Sequence, residues 1–196
     1  MQTTSTVQRL CLYNTAELQL IVEAMARQAA TLLPLGQSAL VGILRRGEPL
    51  ARMLQQRLAQ LTGQAELPLF ALKVKRYADD LSLLHAQTAL TENPELAKLD
   101  MANTSLLVID DVLYHGHSLL RTCAYLSSLG AQHVRTAVLV DRCVSQQPVH
   151  ADIVGVRLQI APDDIIECNV PPYEPDFRIE VVRQMASLEQ LGISLT

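Results

Sequence analysis

The chain has 196 residues, 49% hydrophobic and 18% charged, with 16 Lys and Arg against 20 Asp and Glu, five Tyr, two Phe and no Trp. That length and apolar content are enough to bury a core and exclude disorder, while eight Gly and nine Pro without period exclude collagen-like and repetitive chains. A formal charge of -4 excludes a broad electrostatic surface for nucleic acid, and no apolar run approaches the roughly 20 residues that cross a bilayer. The first ten residues, MQTTSTVQRL, lack an apolar signal core, so a cytoplasmic globular protein without a membrane partner is expected. Cys11, Cys123, Cys143 and Cys168 contain no CxxC pair and read as free thiols.

In chain order, Asn14 with Glu17 three residues later reads as a capping pair, and behind it Leu18, Val22, Met25, Ala29 and Leu32 share one helical face. Pro34 and Gly36 end that helix. Ser38 to Leu44 (SALVGIL) is a continuous apolar run, the pattern of a strand covered on both faces. The next helix has Pro49 in its first turn, a buried stripe of Leu50, Met53, Leu54, Leu58 and Leu61, and Gly63 as its stop. Leu67 to Val74 reads as a strand, followed by a polar segment from Lys75 to about Asn103 without clear periodicity.

Thr104 to Ile109 is then a strand, Ser118 to Leu129 a helix closed by Gly130, and Val134 to Val140 another strand. This alternation predicts βαβ units, and so an α/β fold with a parallel sheet flanked by helices. Beyond Asp141 come weaker strand patterns at Ile153 to Leu158 and Ile165 to Val170, then a turn at Pro171, Pro172 and Pro175. A terminal amphipathic helix over Ile179 to Leu191 is predicted, with Val182, Met185 and Leu188 inward.

The segment Leu106 to Ser118, LLVIDDVLYHGHS, carries the chemistry. An apolar strand leads into two adjacent carboxylates, then a short loop with Gly116, then a helix. Ligands of a parallel sheet sit beyond the carboxyl ends of its strands, where this loop must lie. A glycine loop that opens a helix offers free N–H groups and the positive end of a dipole, which suits a phosphate. The acidic pair repels an anion and suits hydroxyls or a metal. Together these parts outline a ribose phosphate site. His115 and His117 read as phosphate contacts or exposed side chains, with a metal site or general base as the other reading. Asp141 and Arg142 read as an ion pair or a pocket wall.

The order of these parts resembles the 5-phosphoribosyl-1-pyrophosphate (PRPP) signature of type I phosphoribosyltransferases. VGILRRG (Val41 to Gly47), KRYADDL (Lys75 to Leu81), IDDVLYHGHS (Ile109 to Ser118) and AVLVDR (Ala137 to Arg142) follow the order and spacing of the PyrR family, regulators of pyrimidine operons with uracil phosphoribosyltransferase activity. The resemblance spans roughly Leu12 to Val170. It implies one domain over residues 1–196, with a lid at about 75–103 and a small C-terminal hood at about 143–196.

By this resemblance Asp110 and Asp111 bind the ribose hydroxyls and reach Mg²⁺ indirectly, through PRPP. His115, Gly116, His117 and Ser118 wrap the 5-phosphate, and Tyr114, among the PRPP-binding residues, stacks over the sugar or base or else packs. Arg45, Arg46 and Gly47 meet the pyrophosphate, with Arg46, Asp110 and Asp111 as the catalytic set. Lys75, Arg76, Tyr77, Asp79 and Asp80 begin the lid, and Val140, Asp141 and Arg142 edge the base pocket. This chain departs from the family pattern at His115, which replaces a Thr, and at Ala78, where relatives carry an Arg after the lid tyrosine. It also departs at Leu44 and Arg45, which replace a Lys and a Thr, and at Cys143, which replaces a Gly.

The resemblance implies transfer of phosphoribosyl from PRPP to a nucleobase, uracil first, by a homodimer or larger homo-oligomer. The alternative is a regulator of little catalytic power that senses UMP or PRPP and binds pyrimidine-operon mRNA. The acidic balance and few aromatics count against RNA.

Overall fold

The structure, a computed structural model, describes residues 6–74, 90–91, 93–161 and 164–185. The elements in order are β1 (Thr6–Tyr13), α1 (Thr15–Leu32), β2 (Ser38–Leu44), α2 (Gly47–Thr62), β3 (Leu69–Val74), β4 (Leu90–Thr91), β5 (Ser105–Leu113), α3 (His117–Ser128), β6 (His133–Asp141), β7 (Ile153–Arg157), β8 (Ile165–Asn169) and β9 (Arg178–Met185). They divide into two compact units, residues 19–159 and residues 1–18 with 160–196. No helix among the described residues is long and apolar enough to cross a membrane.

The larger unit holds a six-stranded sheet in the order β4-β3-β2-β5-β6-β7. All neighbours are parallel except β4, which pairs antiparallel with β3 at one edge. The expected parallel sheet flanked by helices is therefore present. Ala39, Val41 and Ile43 of β2 and Leu106 and Val108 of β5 pack with Leu119 and Leu126 of α3 on one face. The alternate residues look the other way, toward α1 and α2. There a Cβ on Gly42 would come within 2.6 Å of the Glu48 backbone, and one on Gly155 within 3.0 Å of Met25. The absent side chains allow these helices to approach the sheet.

Local sequence explains the ends of these helices. The Asn14 side chain accepts from the N–H groups of Ala16 and Glu17, while Glu17 accepts from the Asn14 N–H at 2.8 Å, the expected capping box. Gly63, at φ 66°, closes α2. Leu32 and Leu61 depart from the predicted stripes: both lie in the last turn of their helix and are exposed, and Leu33 takes the buried position at the end of α1.

The smaller unit is an antiparallel sheet ordered β1-β9-β8. Here the predicted helix over 179–191 is corrected across its described part, since Arg178–Met185 is a strand paired on both sides. Ile179, Val181 and Val182 are β-branched and buried. With strand partners available, pleated packing overrides the three-residue spacing that suggested a helix. Its partner β1, left unassigned by the sequence pattern, pairs from Thr6↔Met185 to Tyr13↔Ile179.

Candidate functional site

The parallel sheet changes direction between β2 and β5. The chain leaves β2 through α2 toward β3 on one side, and leaves β5 through α3 toward β6 on the other. Crossovers that diverge in this way open a crevice at the carboxyl ends of the two strands. The residues that follow β2 and those at the end of β5 are the ones singled out from sequence: Arg45, Arg46 and Gly47 on one side, Asp110 and Asp111 on the other.

On the β2 side the Leu44–Arg45 peptide is cis, Arg45 is exposed, and Arg46 is the half-buried residue that caps α2. Gly47 is fixed by packing: a Cβ there would stand 2.5 Å from the Ile109 carbonyl oxygen and 3.0 Å from the Asp110 Cα. Only a residue without a side chain lets the first turn of α2 rest on β5 beside the acidic pair.

On the β5 side the structure differs from the expected loop. The strand does not stop at Ile109 but runs through Asp110 and Asp111 to Leu113, in register with β6 as far as Leu113↔Asp141. The two carboxylates are thus mounted on the sheet. Asp110 accepts from the Asp111 N–H at 2.9 Å, and Asp111 from the Val112 N–H at 3.0 Å. Burial pushes the Asp111 carboxyl above the usual range, against the opposing pulls of its hydrogen bond with Asp110, the nearby Arg46 charge and the Val112 N–H. Arg46 and Asp111 are therefore electrostatic neighbours across the crevice.

The phosphate-type loop follows. Gly116, at φ 87°, caps α3 without a side-chain hydrogen bond, and the first intrahelical bond runs from the Leu120 N–H to its carbonyl. The N–H groups of His117, Ser118 and Leu119 thus lack intrahelical acceptors, the condition under which a helix start receives an anion. Asp110, Tyr114, Gly116 and Ser118 line one small cavity. The rings of Tyr114 and His115 are 3.8 Å apart and those of His115 and His117 6.3 Å apart. Among the described residues no group of three or more His, Cys, Asp or Glu is placed to hold a metal ion.

Residues 142–149, for which the sequence suggested no role at the site beyond Arg142 and Cys143, brace this loop. The Arg142 N–H donates to the Leu113 carbonyl, and the Gln146 N–H and Ser145 hydroxyl donate to that of His115. A Cβ on Gly116 would lie 2.6 Å from the Ser145 Oγ and 2.7 Å from Val149. The available signal was Cys143, which stands at φ 55°, in the left-handed region that glycine adopts more readily.

Val140 is fully buried in β6. The ion pair read between Asp141 and Arg142 is not formed. Asp141 accepts from the Cys143 N–H at 2.8 Å and faces Arg157 at 3.9 Å, because successive side chains of an extended segment point apart. Arg142 instead lies over the Tyr114 ring, its Cζ 4.9 Å from the centroid. The lid candidates Lys75, Arg76, Tyr77, Asp79 and Asp80 fall outside the described residues.

Residues 11–176 match the phosphoribosyl transferase domain family. The bifunctional protein PyrR of Actinobacillus pleuropneumoniae serotype 5b (strain L20) is 34% identical over 145 residues, 74% of this chain and 79% of that protein. Its namesake in Deinococcus radiodurans is 35% identical over 133 residues, 67% and 71% of the two chains. Among solved structures, hypoxanthine phosphoribosyltransferase from Trypanosoma cruzi in complex with the product IMP is similar at TM-score 0.67 and 14% identity, covering 93% of this chain and 97% of that one. A hypoxanthine-guanine phosphoribosyltransferase from Bacillus anthracis gives 0.68 and 13%, covering 92% and 99%. At those identities the likeness is one of fold.

Proposed function

The chain belongs to the phosphoribosyl transferase domain family and, within it, to the PyrR family, and from that premise we propose that it transfers phosphoribosyl from PRPP to a nucleobase, with uracil as the base and UMP as the product. The observation that carries this reading is the meeting, at one switch point of the sheet, of Arg46, the strand-mounted pair Asp110 and Asp111, and the helix start capped by Gly116. Those are the three receptors a phosphoribosyl donor needs: a cation for pyrophosphate, carboxylates for the ribose hydroxyls, and N–H groups for the 5-phosphate.

Transfer breaks the bond between ribose C1 and pyrophosphate, so positive charge grows on the sugar and negative charge on the leaving group. Arg46, at the start of α2 and with Arg45 beside it, opposes the second charge, and groups that do so more strongly in the transition state than in the ground state accelerate the step. Asp110 and Asp111 fix the ribose so that C1 faces the base, and Tyr114, His115, Gly116, His117 and Ser118 hold the phosphate end. Val140 and Asp141, at the carboxyl end of β6, border the base. Residues 75–103 act as the lid that keeps water from PRPP, and 143–196 as a C-terminal hood. The two adjacent oxygen-donor carboxylates of Asp110 and Asp111 fit Mg²⁺, an ion that binds through few carboxylates and mainly through substrate phosphates. When bound it supplies positive charge to the leaving pyrophosphate.

The test is pyrophosphate release from PRPP across a nucleobase panel, with UMP binding measured on the same sample. Release with uracil is the expected result; absence of PRPP binding by calorimetry in the presence of Mg²⁺ would overturn the reading. A second reading, a nucleotide-sensing regulator that binds pyrimidine-operon mRNA, is favoured by the word "bifunctional" in the relatives' names and by His115 in the phosphate loop. Salt-dependent retention of a leader RNA supports it, and no retention at low salt removes it. Self-association as a homodimer or larger homo-oligomer belongs to the same proposal and is read by light scattering.

A further inference from the structure

Arg142 is a charged side chain the fold has buried without providing a counter-charge. It is only 6% exposed, its Nε has no hydrogen-bond partner, and among the described residues its guanidinium makes no ion pair. The adjacent carboxylate, Asp141, is turned to Arg157 and the Cys143 N–H. What the guanidinium meets is the face of Tyr114, whose ring lies against His115, one residue before Gly116. An aromatic face offsets only part of the desolvation of a buried cation. The backbone that carries it is tied to the loop, since the Arg142 N–H donates to the Leu113 carbonyl at 3.0 Å, level with the start of the loop.

An uncompensated cation held against Tyr114, in a loop whose helix-start N–H groups have no intrahelical acceptors, is completed by an anion. We propose that Arg142 is the buried counter-charge of the phosphate-binding loop: its guanidinium, stacked on Tyr114, recognises the phosphate monoester of the ribose ligand and contributes to affinity for the phosphate rather than for the base. This rests on the ribose phosphate reading of residues 114–118. It gives Arg142 a task different from bordering the base. The phosphate brings the negative charge that the protein omits, and a planar guanidinium presents paired N–H donors that match its oxygens.

The experiment compares the full-length chain with Arg142→Gln and Arg142→Lys, titrating ribose 5-phosphate, UMP and uridine by calorimetry and recording thermal unfolding without ligand. Arg142→Gln is expected to weaken ribose 5-phosphate and UMP at least tenfold, leave uridine unchanged, and unfold no earlier than the parent, because an unpaired buried charge has been removed. Arg142→Lys, which keeps the charge and loses the fork, is expected to fall between the two. Equal losses for uridine and UMP would make Arg142 a base contact and overturn the proposal. Earlier unfolding of both variants with unchanged affinities would make it structural and overturn it as well. If the parent itself fails to bind ribose 5-phosphate, the site reading falls with it; if the parent binds and Arg142→Gln binds equally, this inference falls alone.

Discussion

In the three-stranded sheet the buried carboxylate of Glu180 is met by Arg9 at 3.3 Å, by the Asn169 amide at 3.0 Å and by Arg178 at 3.4 Å, whereas in the six-stranded sheet the buried guanidinium of Arg142 meets an aromatic ring. The contrast extends outward. Asp164, also buried, receives two hydrogen bonds from Arg183, at 2.9 and 2.6 Å, while Asp111 is a carboxylate whose charged form its surroundings disfavour. In the smaller unit the buried carboxylates are met by arginines of that same unit, although the buried Nε of Arg178 lacks a hydrogen-bond partner there too. A sheet that carries a site leaves some to be satisfied by what binds there, and gives up stability in proportion.

Four measurements sharpen or break this contrast, beginning with the largest effect. Asp111→Asn, which removes charge at nearly constant shape, is expected to weaken PRPP binding about a hundredfold, on the order of 2.7 kcal/mol. A carboxyl raised above its unfolded value penalises the fold at neutral pH and ceases to do so below the unfolded value, so the same variant should unfold no earlier than the parent. An unchanged affinity would mean that the acidic pair has been misread.

Glu180→Gln tests the opposite region. Loss of a carboxylate that gathers Arg9, Arg178 and Asn169 should destabilise by about 2 kcal/mol in denaturant titration and leave PRPP affinity alone. A smaller expected effect concerns Asp152. Burial would raise its carboxyl, but the Thr136 N–H, the Arg135 guanidinium and the Thr136 hydroxyl outweigh burial and hold it below the usual range. The stability it confers is full above the unfolded value of about 3.9 and is lost as pH falls through the lower folded value; Asp152→Asn should flatten that part of the acid-unfolding curve. The smallest change is Cys143→Gly, which relieves a left-handed residue at φ 55° and should raise stability by up to about 1 kcal/mol after the entropic cost of glycine.

The parallel sheet was legible because its strands are covered on both faces, so SALVGIL and TSLLVI stand out as unbroken apolar runs between capped helices. The second sheet was not. In β9 the sequence RIEVVRQM mixes buried Ile179, Val181 and Val182 with Glu180, whose charge is met not only by Arg178 but by Arg9 and Asn169 on the two neighbouring strands, and a one-dimensional pattern cannot show that compensation. The site was legible in order: Arg46 after β2, the carboxylates on β5, Gly116 before α3. Its mounting was hidden, because whether a strand stops at Ile109 or runs on to Leu113 depends on the ladder with β6. Hidden too was the contrast between Asp141 and Arg142, neighbours in sequence whose side chains part company in space.

The pairing of β1 with β9 sets an order on biosynthesis. Thr6 finds its partner in Met185, so β1 leaves the ribosome long before the strand it needs. At about 5–20 residues per second the wait is on the order of ten seconds. The ladders of the six-stranded sheet, by contrast, join strands that all lie within residues 19–159. The site's scaffold is thus complete on the emerging chain while β1 still carries an unpaired edge, and a chaperone that shields such edges would act on this protein before β9 has been made.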